Sequence, residues 1–218
     1  MLIAEELLVA ATDTAGRSLL PATRNVVLGG AYLTELGLRE RLTVDEKGRL
    51  QVLEAGSTDD PLLDDALVRF VKQAGKKPQD VLDGIGGALL QPTLDSLVRR
   101  ELVRPEPVKV LGLRIATRWP SVTTGPRRTV VADLAAVLTG ARVPDERTGA
   151  LVSLLHAASA LHHVVPKDQR PGLTDRELRK RAAQVFEGRW AALSVTRAVE
   201  QAAAAVAAGG DGGGGGGE

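Results

Sequence analysis

Apolar residues along this chain recur mostly at helical spacing, interrupted by two short stretches that alternate instead. Residues 3–12 read as a short apolar helix, with a turn around 14–16. Residues 23–42 are the most apolar helix candidate. Val26, Val27, Leu28, Ala31, Tyr32, Leu33, Leu36 and Leu38 cover most of its circumference, the pattern of a helix surrounded by others. Gly29, Gly30 and Gly37 each cost roughly 1 kcal/mol there relative to alanine, which close backbone packing explains. Leu42, Val44, Leu50 and Val52 alternate with polar residues and predict a small hairpin.

Asp60 is placed to cap a further helix, with Pro61 in its first turn and Leu62, Leu63, Ala66, Leu67, Phe70 and Val71 on one stripe. Residues 78–82 and 90–103 predict two helices, with Gly84, Gly86 and Gly87 as a linker between them. Val108, Val110, Leu111, Leu113 and Ile115, set among prolines at 105, 107 and 120, read as an extended or hairpin segment. Helices are predicted again over 128–138, 145–164, 174–186 and 190–208, the third with a capping box of Thr174 and Glu177. The expected fold is mainly α: a compact single-domain helical bundle over residues 1–208 with one or two short β-hairpins. Residues 209–218 are nearly pure glycine, cannot offset their backbone entropy by burial, and are expected to be a disordered tail.

Composition narrows the functional classes. A chain of 218 residues with 44% hydrophobic content supports one substantial core. The net charge of +1 gives no global attraction to nucleic acid, so an electrostatic partner must be recognised locally. The absence of cysteine excludes disulfides and thiolate chemistry and fits a reducing, cytoplasmic setting. Glu5 and Glu6 near the start do not suit a signal peptide. No apolar run approaches the roughly 20 residues of a membrane span, so contact with a membrane would be peripheral.

Candidate chemistry is sparse. His156, His162 and His163 fall on one predicted helix without metal spacing, and His162 lies on the apolar stripe of Leu151, Leu155 and Ala158, where a hydrogen-bonded core histidine is expected. The glycines at 84–87 lack the preceding strand and following Lys-Ser or Lys-Thr of a phosphate-binding loop. The acidic pairs Asp59-Asp60 and Asp64-Asp65 serve a helix start, and no nucleophile has a base beside it. No catalytic residue, metal or cofactor is expected. Arg99-Arg100 and Arg127-Arg128 suit phosphates, but five aromatic residues and no docking motif argue against nucleic acid.

Four separated segments carry a family resemblance: Glu5-Glu6-Leu7-Leu8, Glu35-Leu36-Gly37-Leu38-Arg39-Glu40-Arg41-Leu42, Leu62-Leu63-Asp64-Asp65-Ala66-Leu67, and Ala150-Leu151-Val152-Ser153-Leu154-Leu155-His156-Ala157. In order and spacing they resemble the Golgi phosphoprotein 3 family over about residues 3–165, with a composition closer to its bacterial branch. The resemblance implies a compact helical fold with hairpin excursions that binds phosphatidylinositol 4-phosphate at membranes and retains client proteins there. It also implies self-association through the hairpin, here the 105–120 segment. The family's headgroup tryptophan and three arginines align with Leu20, Gly29, Pro92 and Asp95, none of which matches.

What remains for an acidic surface is local charge. Between residues 98 and 128, eight basic residues stand against two acidic ones. Arg99, Arg100, Arg114 and Arg118, with Arg24 at the start of the central helix, are the candidate headgroup contacts. Leu111, Leu113 and Trp119 are the candidate membrane-contacting groups. The expected function is a peripheral membrane protein that binds acidic phospholipid or phosphoinositide and positions protein clients. The alternative is a soluble protein-interaction module of the same fold without specific lipid binding.

Overall fold

A computed structural model of the chain describes residues 1–20, 23–111, 113–187 and 201–202, and the side chains of all of these except Arg114, Phe186 and Glu187. It is a mainly α single domain. Helices α1 (Ile3–Ala10), α2 (Arg24–Leu38), α3 (Pro61–Val71), α4 (Leu82–Arg99), α5 (Gly125–Thr139), α6 (Glu146–Ala157), α7 (Leu161–Val164) and α8 (Asp175–Glu187) surround a single core. Two antiparallel hairpins interrupt them: β1 (Leu42–Val44) with β2 (Leu50–Val52), and β3 (Glu106–Val110) with β4 (Leu113–Arg118).

α2 is the central helix. From Val26 to Leu36 every residue is buried, as its all-round apolar sequence requires. The Asp60 carboxylate accepts from the Leu62 and Leu63 N–H groups and starts α3. Thr174 and Glu177 form the expected capping box: each side chain accepts from the other's backbone N–H.

Two expectations are corrected. The glycines at 84–87 are not a linker, because α4 runs through them and through Pro92 without a break. A Cβ on Gly86 would lie 1.9 Å from the Asn25 carbonyl oxygen, so backbone contact with α2 replaces side-chain packing there. The helix expected over 145–164 divides at Ser159, whose φ of +53° ends α6 in the left-handed region. That break turns His162 out to solvent, against its expected core position. The helix expected over 190–208 and the glycine tail lie outside the described residues, apart from a helical pair at 201–202.

Several carboxylates hold loops and caps together. The Thr58 hydroxyl and N–H hold Asp64 below the ordinary carboxylate range, the Thr148 N–H lowers Asp145, and the Arg170 guanidinium lowers Asp175. Glu6, raised by burial, works the other way. On acidification the unfolded chain takes up the first protons at the lowered groups. Their stabilisation is complete above the ordinary carboxylate pKa of about 3.9 and is lost as pH falls through their lower folded-state values. The urea midpoint is accordingly expected to fall steeply below about pH 4. A flat profile would remove these groups from the stability of the fold.

Candidate functional site

The β3–β4 hairpin projects from a root pinned on two sides. The Trp119 N–H donates to the Gly16 carbonyl at 2.9 Å, Arg104 N–H to Pro120 at 3.1 Å, and Val122 N–H to Leu102 at 3.0 Å. Gly16 is required: its φ is +75°, and a Cβ there would lie 2.4 Å from the Pro120 nitrogen. Trp119 therefore sits at the base, half-buried against the core, and not at the tip.

Register divides the hairpin into two faces. Glu106 pairs with Arg118, Val108 with Ala116, Lys109 with Arg114 and Val110 with Leu113, with an irregularity between Val108 and Lys109. Val110 and Leu113 are register partners and share one face, and Ile115 is the extra residue of β4 that the irregularity leaves without a register partner. They are 51%, 72% and 63% exposed, and Leu111 at the turn is 98% exposed. Alternating strand residues normally bury one face, so this is an apolar surface without a cover among the described residues.

The cations expected at the site are not all gathered there. Arg118 and Lys109 lie exposed on the strands. Arg114 is the register partner of Lys109; its side chain lies outside the described residues. Arg99 and Arg100 end α4, the helix that leads into the hairpin. Arg100 is engaged there, with Nε 3.3 Å from the buried Glu5 carboxylate. Arg24 stands apart on the first turn of α2, its Nε buried without a partner among the described residues.

The four aligned headgroup positions offer nothing to a sugar phosphate. Leu20 is buried, Pro92 is half-buried within α4, and Asp95 is an exposed acid that accepts from Gln91. At Gly29 a Cβ would lie 2.4 Å from the Leu82 carbonyl oxygen, which leaves no space for any side chain.

Sequence reasoning did not foresee the buried ionic cluster beneath α1. Glu5 and Glu35 are 1% and 2% exposed. Glu5 accepts from its own chain start at Leu2 N–H and from the Ser96 hydroxyl on α4. Glu35 accepts from Ile3 N–H, Arg39 and Arg147. The signal was present: both acids lie on apolar stripes, at helical spacing from Leu8 and from Tyr32 and Leu38.

Elsewhere, His156, His162, Asp175 and Arg179 line a cavity of about 90 Å³. Burial, and then the Arg179 charge, pushes the His156 pKa down, which favours the neutral imidazole. No group of three potential metal ligands converges among the described residues. No helix among them is long and apolar enough to cross a membrane.

Comparison with protein families matches residues 3–202 to the model described as Golgi phosphoprotein 3 (GPP34). No curated protein matches the chain.

Proposed function

Because the chain belongs to the Golgi phosphoprotein 3 family, we propose that it is a peripheral membrane protein that binds acidic phospholipid headgroups and positions partner proteins at the surface. The supporting observation is the exposed apolar tip of the β3–β4 hairpin, Val110, Leu111, Leu113 and Ile115, with Lys109 beside it and Arg118 exposed toward the base, opposite Glu106. Burying a leucine side chain is worth about 1.5–3 kcal/mol, and a cation near an anionic leaflet about 1 kcal/mol. Two leucines and two cations together suffice for reversible, salt-sensitive attachment. The closed position at Gly29 supports recognition by surface charge in place of the family's sugar-phosphate pocket.

The test is flotation with phosphatidylcholine vesicles containing phosphatidylserine. Leu111→Ser/Leu113→Ser should reduce bound protein more than about tenfold while leaving the thermal midpoint unchanged, because both side chains are already in water. Undiminished flotation removes the hairpin from membrane binding. A chain that never floats, but self-associates through the same leucines, supports the soluble interaction module instead.

A further inference from the structure

At the root of the hairpin, where the loop after α1, the segment after β4 and the first turns of α5 meet, lies a cavity of about 180 Å³. That is far above the roughly 10–15 Å³ that admits one water. Arg127 and Arg128 reach it from α5, and the hydroxyl residues Thr14, Ser121 and Thr124 line it together with Gln169. Val131 supplies an apolar wall, and no carboxylate is among the lining residues.

Arg127 is oriented by its Nε, which donates to the Thr12 carbonyl at 2.8 Å, and its terminal nitrogens have no acceptor among the described residues. Arg128 is exposed and has no ion pair among the described residues. Thr124 caps α5 by position, yet its hydroxyl makes no capping bond. Of the two acids adjacent in sequence to lining residues, Asp13 is taken up by Arg17 at 2.8 Å and by the Ala15 and Arg17 N–H groups, and Asp168, beside Gln169, is exposed and outside the lining. Two guanidinium groups, one held in place, at a space rimmed by hydroxyls and lined by no carboxylate, match a tetrahedral oxyanion.

We propose that this cavity binds a phosphate group, through charge-assisted hydrogen bonds from Arg127 and Arg128 assisted by Ser121 and Thr124. None of these residues corresponds to the four aligned headgroup positions, and the proposal stands on the cavity whether or not the hairpin enters a membrane. A phosphomonoester on a lipid and a soluble phosphate compound share this chemistry, and the experiment separates them.

Inorganic phosphate is titrated calorimetrically into the full chain at constant ionic strength, and flotation is measured with phosphatidylcholine vesicles carrying phosphatidic acid. Arg128→Gln should weaken binding about tenfold, the usual effect of losing one charge-assisted bond. Ser121→Glu, which places a like charge in the cavity while keeping the Arg127–Thr12 bond, should abolish it. Binding of inorganic phosphate assigns a soluble ligand; binding of the vesicles alone, with the same sensitivity to Arg128, assigns a lipid headgroup. Leu111→Ser/Leu113→Ser should leave the calorimetric titration unchanged, so failure of the hairpin reading is seen separately. Wild-type affinity of both cavity variants for both probes, or no affinity of the wild type for either, overturns the proposal.

Discussion

Replacing Glu35 by alanine should lower the unfolding free energy by about 3–5 kcal/mol, the range seen when one member of a buried ion pair is removed. Oε2 accepts from Ile3 N–H at 2.8 Å, while Oε1 accepts from Arg147 at 2.9 Å and Arg39 at 3.1 Å. Arg147 also donates to the Met1 carbonyl at 2.7 Å, so one carboxylate joins α1, α2 and α6. Its loss leaves the buried Ile3 N–H without an acceptor and a half-buried guanidinium without its principal counter-charge. Arg39→Ala removes only the i+4 partner, itself 38% exposed, leaves Glu35 paired with Arg147 and hydrogen-bonded to Ile3 N–H, and should cost about 1 kcal/mol or less. Urea denaturation distinguishes the two through the midpoint at unchanged slope. A further variant tests the cause: Glu35→Leu/Arg147→Met removes both charges and should recover much of the stability lost in Glu35→Ala. If Glu35→Ala lies within 1 kcal/mol of wild type, the cluster is incidental to the fold.

The same residue shows what was legible in the sequence and what was not. The helices that bury an all-round apolar surface or begin at a visible cap, such as α2 and α3, follow from periodicity and local hydrogen bonding. So do both hairpins, through alternation and proline placement. Arg39 is a local partner one helical turn on, but Ile3 and Arg147 lie 32 and 112 residues from Glu35, and no local pattern contains them. An acid on an apolar stripe announces that a counter-charge exists, but its identity is a property of the tertiary fold. The hairpin face was half legible. Leu111 and Leu113 were readable as apolar, but exposure depends on whether a helix covers them, and the register irregularity that leaves Ile115 without a partner has no mark in the alternation. Trp119, read with them, is separated because its backbone is tied to Gly16 at the base. His162 was misplaced for a related reason: the left-handed Ser159 interrupts the helix at a point where no glycine or proline marks the break.

Gly86→Ala should be among the most damaging single-methyl additions in this chain, and Gly84→Ala, two residues away, should stabilise it. Both glycines lie inside α4, where intrinsic propensity favours alanine by up to about 1 kcal/mol. A Cβ on Gly84 meets nothing within 4 Å, so that preference is realised in full or nearly so. A Cβ on Gly86 would stand 1.9 Å from the Asn25 carbonyl oxygen and 2.7 Å from the Gly29 nitrogen, both backbone atoms of the central helix. Neither can swing aside as a side-chain tip can. The two helices must separate, which costs about 3 kcal/mol at the upper end of ordinary overpacking and opens the core around Leu82 and Leu89. The opposite face of the same contact makes a functional statement. Gly29→Arg, which installs an arginine where the family's headgroup contact aligns, should unfold the domain and not restore phosphoinositide binding, because its Cβ already collides with the Leu82 carbonyl. Thermal midpoints of the three variants settle the matter. A folded Gly29→Arg chain that binds phosphatidylinositol 4-phosphate would show that α2 and α4 can part, and that the pocket is closed by packing preference alone.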